Sequence, residues 1–232
     1  MLTRMRLVLI GALAATACSP SHAATRAFPV GGFDRIANTA PVDVRVHVGA
    51  APSARANGPQ DVLDRLVIEV RGGELVVRTT PGRWFGGWGS HGRTLVEVTV
   101  PALNGASLSG PGNLTIDRVR ARAFTARLSG PGNLSVGSVE AGSVDISLTG
   151  PGDLTLAGHA ATGRLGLSGP GDIRAAGLTL RDADISLSGP GDLALSATRL
   201  ARGRLSGPGD ITITGGARCA ISKSGPGDVH CR

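Results

Sequence analysis

Seven near-copies of one five-residue phrase constrain this chain more than anything else in it. They are Ser109-Gly-Pro-Gly-Asn113, Ser129-Gly-Pro-Gly-Asn133, Thr149-Gly-Pro-Gly-Asp153, Ser168-Gly-Pro-Gly-Asp172, Ser188-Gly-Pro-Gly-Asp192, Ser206-Gly-Pro-Gly-Asp210 and Ser224-Gly-Pro-Gly-Asp228. Successive copies lie 20, 20, 19, 20, 18 and 18 residues apart. That period is too short for a helical repeat unit and fits one coil of a β-solenoid. The predicted class is therefore all-β: a right-handed parallel β-helix over residues 105–232, with a strand-rich section over 24–104 continuous with it. Identical coils build a surface rather than a unique pocket, which weighs against catalysis.

One coil shows the logic. Val144, Ile146 and Leu148 alternate with polar residues, the Gly-Pro-Gly turn follows, and Leu154 and Leu156 alternate again. Each coil is read as two short strands, with residues 157–163 as the return. Pro fixes its own φ and donates no hydrogen bond, so it belongs at a corner. The glycines on either side are read as supplying unusual backbone angles. The Asp or Asn is read as holding its own turn by a local hydrogen bond.

Residues 24–104 carry no such turn but alternate as strands. Val42 to Val48 is strictly apolar/polar, and Leu66–Val70, Leu75–Arg78 and Leu95–Val100 follow. Gly72-Gly73 reads as a hairpin turn and residues 60–65 as one helical turn.

The first 23 residues read as an export signal: Arg4 and Arg6, an apolar run Leu7 to Ala17, and Ser21-His22-Ala23 as a cleavage site. Ala15-Thr16-Ala17-Cys18 is an alternative processing site, at which Cys18 would be lipidated and the protein would become an outer-membrane lipoprotein. The expected location is the periplasm or the cell surface, with contact to membrane only through such an anchor. Cys219 and Cys231 then remain, and two cysteines in an exported chain point to a disulfide.

The net charge is +7. Its arginines are scattered among acids, with no basic run and no nucleic-acid-binding motif, so no nucleic-acid partner is expected. The histidines, His22, His47, His91, His159 and His230, lack metal-ligand spacing, and no catalytic signature appears. No cofactor is expected. Two features retain a chemical reading. Asp153, Asp172, Asp192, Asp210 and Asp228 should form a ladder along one edge, either capping turns or holding calcium. The loop Arg83 to Arg93 holds Trp84, Phe85 and Trp88, either covering one end of the solenoid or contacting a ligand such as an envelope glycan or a surface protein. A carbohydrate-active β-helix enzyme working beside this loop is the alternative to a non-enzymatic scaffold or adhesion surface.

Several stretches together resemble a bacterial family, the putative auto-transporter adhesin, head GIN domain. They are Gly32-Phe33-Asp34-Arg35-Ile36, the strand Val42 to Val48, the Gly72-Gly73 hairpin, Val98-Thr99-Val100-Pro101-Ala102-Leu103 and the repeated turns. The likeness covers about residues 30–231. It implies an exported or envelope-attached β-helical domain without known catalysis, and it brings no active site with it. The family's turn commonly has Ser between the glycines where this chain has Pro.

Overall fold

Strands here are stacked rather than laid side by side in chain order. The structure, a computed structural model, describes residues 24–80 and 93–232. From the Ser109 turn onward the coils stack in sequence. Strands β8 (Gly105–Leu108) and β9 (Leu114–Ile116) flank the first Gly-Pro-Gly corner. Above them lie β10 (Val119–Leu128), β11 (Leu134–Leu148), β12 (Leu154–Leu167), β13 (Ile173–Leu187) and β14 (Leu193–Leu205). The stack ends at β15 (Ile211–Thr214), β16 (Arg218–Lys223) and β17 (Val229–Cys231). All neighbours from β8 to β17 pair in parallel, with Leu128↔Leu148↔Leu167↔Leu187↔Leu205 as one inward column. These leucines are 0–2% exposed, and the aliphatic columns they typify form one continuous core.

The return segment is not a separate loop. Residues 134–148 form one strand that bends, because two consecutive outward residues, Gly137 and Ser138, interrupt the alternation before Val139 turns inward again. The ladder therefore continues around most of each coil.

The first levels are interleaved. Strands β2 (Arg35–Asn38) and β3 (Asp43–Val48) lie directly beneath β8 and β9, with Ile36↔Ala106 and Val44↔Leu114. Beneath them in turn lie β6 (Glu74–Thr79) and β7 (Leu95–Val100), which come later in the chain. Below that level the pairing becomes antiparallel: β4 (Ser53–Gly58) on β7, β1 (Ala24–Phe28) on β4, and β5 (Leu66–Arg71) on β6 through the Gly72-Gly73 turn. Those two glycines have φ of 55° and 78°, the left-handed conformation such a turn requires. A single helical turn, α1 (Gln60–Arg65), joins β4 to β5, and its Val62 and Leu63 are buried in the core.

At the other end the predicted disulfide is present between Cys219 and Cys231, with Cα atoms 6.6 Å apart. It joins β16 to β17. The two cysteines stack on Ala201 and Ile213, both fully buried one coil below. Cys219 is half-buried and Cys231 exposed, so the bridge ties the last coil where aliphatic packing thins out. Replacing both by Ser should lower stability by about 2 kcal/mol. The loss of amide protection should be confined to residues 215–232, which hydrogen exchange would report.

Candidate functional site

The Gly-Pro-Gly corner dominates one edge of the solenoid, and its geometry differs from the sequence reading in two ways. First, none of its glycines has a positive φ. Glycine is required because successive corners touch. A Cβ on Gly150 would sit 2.5 Å from the Gly130 carbonyl oxygen, and one on Gly152 would overlap the Gly132 carbonyl oxygen. Pro between them points outward at every copy.

Second, the Asp or Asn bonds the next coil, not its own turn. The backbone N–H of Asn133 donates to Asn113 Oδ1 at 3.1 Å, and that of Asp153 to Asn133 Oδ1 at 3.1 Å. The series continues with Asp172 to Asp153 at 3.2 Å, Asp192 to Asp172 at 3.0 Å, Asp210 to Asp192 at 2.9 Å and Asp228 to Asp210 at 2.7 Å. In return, the carbonyl of each upper residue accepts from the residue after the lower one, as in Leu134 N–H to Asp153 at 3.0 Å. One oxygen of each interior rung is therefore spent on stacking.

The ladder starts one level earlier than the repeats reveal. Asn113 N–H and Nδ2 both donate to Asp43 Oδ1, at 3.0 and 2.9 Å. Register places Thr39-Ala40-Pro41-Val42-Asp43 directly under Ser109-Gly-Pro-Gly-Asn113. This corner lacks glycine and is held instead by Asn38, fully buried, whose Nδ2 donates to Val42 O and whose Oδ1 accepts from Ala40 N–H. Sequence reasoning missed both Asn38 and Asp43. The Pro at the third position and the Asp at the fifth were the available signal.

Two cations sit on the ladder. Arg174 spans Asp153 and Asp172 at 2.6 and 2.9 Å, and its own pKa is raised, chiefly by the hydrogen bond to Asp153. Lys223 pairs with Asp228 at 2.9 Å and holds its carboxyl below the ordinary range. Among the described residues no three His, Cys, Asp or Glu side chains come together as a metal-binding group.

Three further acids, none of them on the ladder, line a groove of about 380 Å³. They are Asp145, Asp182 and Asp184. Asp182 accepts from Arg199 at 2.6 Å and from Arg181 at 3.2 Å, and the Arg199 hydrogen bond holds its pKa low. Its other oxygen is buried with no hydrogen-bond partner. A depressed carboxyl stabilises the folded state at neutral pH, and that contribution disappears as pH falls through its folded pKa. Arg199→Gln should raise the Asp182 titration midpoint, read from its carboxyl carbon by NMR, towards the ordinary aspartate value.

The aromatic loop with Trp84, Phe85 and Trp88 lies outside the described residues, as does Cys18. Its attachment points are described. Thr80 N–H donates to Arg65 O at 2.9 Å, and Asp43 N–H donates to Thr94 O at 3.1 Å. Both attachment points therefore lie at the corner directly beneath Thr39–Asp43.

Comparison with known proteins follows the same lines. Over residues 32–217 the sequence matches the family model described as putative auto-transporter adhesin, head GIN domain. No curated protein matches it in sequence. Among solved structures, a putative adhesin from Bacteroides fragilis superposes with a TM-score of 0.84 at 21% identity, over 92% of this chain and 98% of that one. A putative adhesin from Parabacteroides merdae gives 0.70 at 16% identity, over 91% and 96%. A putative lipid-binding protein from Parabacteroides distasonis gives 0.68 at 19% identity, over 91% and 97%. At these identities the likeness is one of fold. The family match spans most of the sequence, and the chain belongs to the putative auto-transporter adhesin, head GIN domain family.

Proposed function

We propose that this protein is a non-catalytic recognition module of the cell envelope or surface, in which the coils are scaffold and the loop Arg83 to Arg93 makes contact. The observation that carries this reading is the replacement of one corner. Above the loop, from Asp43 to Asp210, each corner's Asp or Asn has an oxygen committed to the next coil. At the level between Thr80 and Thr94 the corner is instead a long insertion holding both tryptophans of the chain. Rigid aromatic rings beside Arg and His suit sugar faces or a lipid interface. The neighbours described as putative adhesins and as a putative lipid-binding protein support surface contact of this kind.

The enzymatic alternative is weaker. Glycoside hydrolysis needs one carboxyl that keeps its proton near neutral pH. Asp182, in the groove, is driven the other way by Arg199. Export, with either cleavage after Ala23 or lipidation at Cys18, belongs to the same proposal. The mass of the mature N-terminus distinguishes cleavage after Ala23 from a lipidated Cys18.

The test is Trp84→Ala/Trp88→Ala, assayed against isolated envelope glycan and against anionic lipid vesicles. Binding should fall at least about tenfold with Tm unchanged. A lower Tm with binding retained would make the loop structural and overturn the reading.

A further inference from the structure

The groove lined by Asp145, Asp182 and Asp184 has a pattern that scaffold duty does not explain. It runs along the solenoid axis across five coils, a length of about 19 Å at one rung per ~4.8 Å. Its floor is Phe124, Val144, Gly163 and Ala183, an inward column that breaks to glycine at mid-length. Along one rim, register stacks Asp145, Arg164, Asp184 and Arg202, so charge alternates from rung to rung. Arg202 is tied to Asp184 at 3.3 Å. Arg164 is exposed and, among the described residues, forms no ion pair, although acids lie one rung above and one below.

We infer that this groove binds an acidic polysaccharide carrying one acidic group on every second sugar. The inference rests on the reading of the protein as an envelope recognition module and names a ligand class at a site apart from the aromatic loop. The period selects the polymer. An extended peptide places same-side groups every ~6.6 Å, which falls out of register with ~4.8 Å rungs within two coils. A pyranose chain advances by about one rung per sugar. Arg164 and Arg202 stand two rungs, about 10 Å, apart and meet acidic groups on alternate sugars. Asp145 and Asp184, on the rungs between and below, accept hydroxyl groups of the other sugars. They also repel a polymer that is acidic at every residue.

Three polymers test this by titration calorimetry: alternating glucuronate and N-acetylglucosamine, polygalacturonate, and neutral dextran. The alternating polymer should bind most tightly, with affinity falling as salt rises. Arg164→Gln should weaken it at least about fivefold at nearly unchanged Tm, because Arg164 has no ion pair to lose and the neutral amide adds no charge between Asp145 and Asp184. Dextran binding as tightly as the alternating polymer, or Arg164→Gln binding like wild type, would overturn the inference. Trp84→Ala/Trp88→Ala separates the two readings. Envelope binding that depends on the tryptophans while Arg164→Gln changes nothing removes the groove and leaves the aromatic loop as the contact. Groove binding that depends on Arg164, with no tryptophan effect on envelope binding, keeps the groove and removes the aromatic loop from the contact.

Discussion

Gly171→Ala should cost at least about 3 kcal/mol and lower Tm by roughly 6–12 °C. The new Cβ would overlap the Gly152 carbonyl oxygen and press on Pro151. Both contacts are to backbone atoms of the coil below, the Gly152 carbonyl oxygen and the Pro151 carbonyl carbon, so neither can rotate away. Relief would require the two corners to separate, and Asp172 N–H would then leave Asp153 Oδ1, now 3.2 Å away. Gly166→Ala is the matched control. It lies in the same coil, and the nearest atom to its new Cβ is Ile146 O at 3.9 Å. Its effect should stay within about 0.5 kcal/mol. Thermal unfolding of the two variants side by side measures the difference. Equal effects would mean that corner contact is not what selects glycine.

The second large effect concerns the ladder. Asp192→Ala/Asp210→Ala should cost about 2–4 kcal/mol. Each substitution strands a backbone N–H, that of Asp210 or Asp228, which now donates to the carboxylate at 2.9 or 2.7 Å. Asp192→Asn/Asp210→Asn should cost far less. Asn113 and Asn133 already do the same work in this chain, accepting through Oδ1 at 3.1 Å. What the stacking requires is an acceptor oxygen on a short side chain, and charge is incidental to it.

The architecture was legible because its signals are local and repeated. Alternation marked Val44 and Val46 as inward, and both are at most 1% exposed. The Gly-Pro-Gly period marked the corners, and two cysteines in the last coil marked the bridge. What was not legible depends on contacts between coils. The turn sequence alone cannot tell a glycine chosen for its φ from one chosen because another backbone lies against it, and Gly150 and Gly152 are the second kind. Nor can it tell whether Asp172 bonds its own turn or the one above. The interleaving of β2–β3 between β6–β7 and β8–β9 was hidden for a related reason. Thr39-Ala40-Pro41-Val42-Asp43 keeps only Pro and Asp of the repeat, and the level beneath it comes later in the chain. The groove was missed because its rim assembles from Asp145, Arg164, Asp184 and Arg202, about 20 residues apart, and shows only once register is known.

The claim that the repeat is scaffold, with Asp and Asn as links between coils, is tested most directly by one set of melting curves. Wild type, Asp192→Asn/Asp210→Asn and Asp192→Ala/Asp210→Ala are melted with and without millimolar calcium. The Asn pair should melt close to wild type and the Ala pair several degrees lower, and calcium should move none of them. An Asn pair as unstable as the Ala pair, together with a calcium-dependent rise in Tm seen only in wild type, would contradict it and make the carboxylates a cation site.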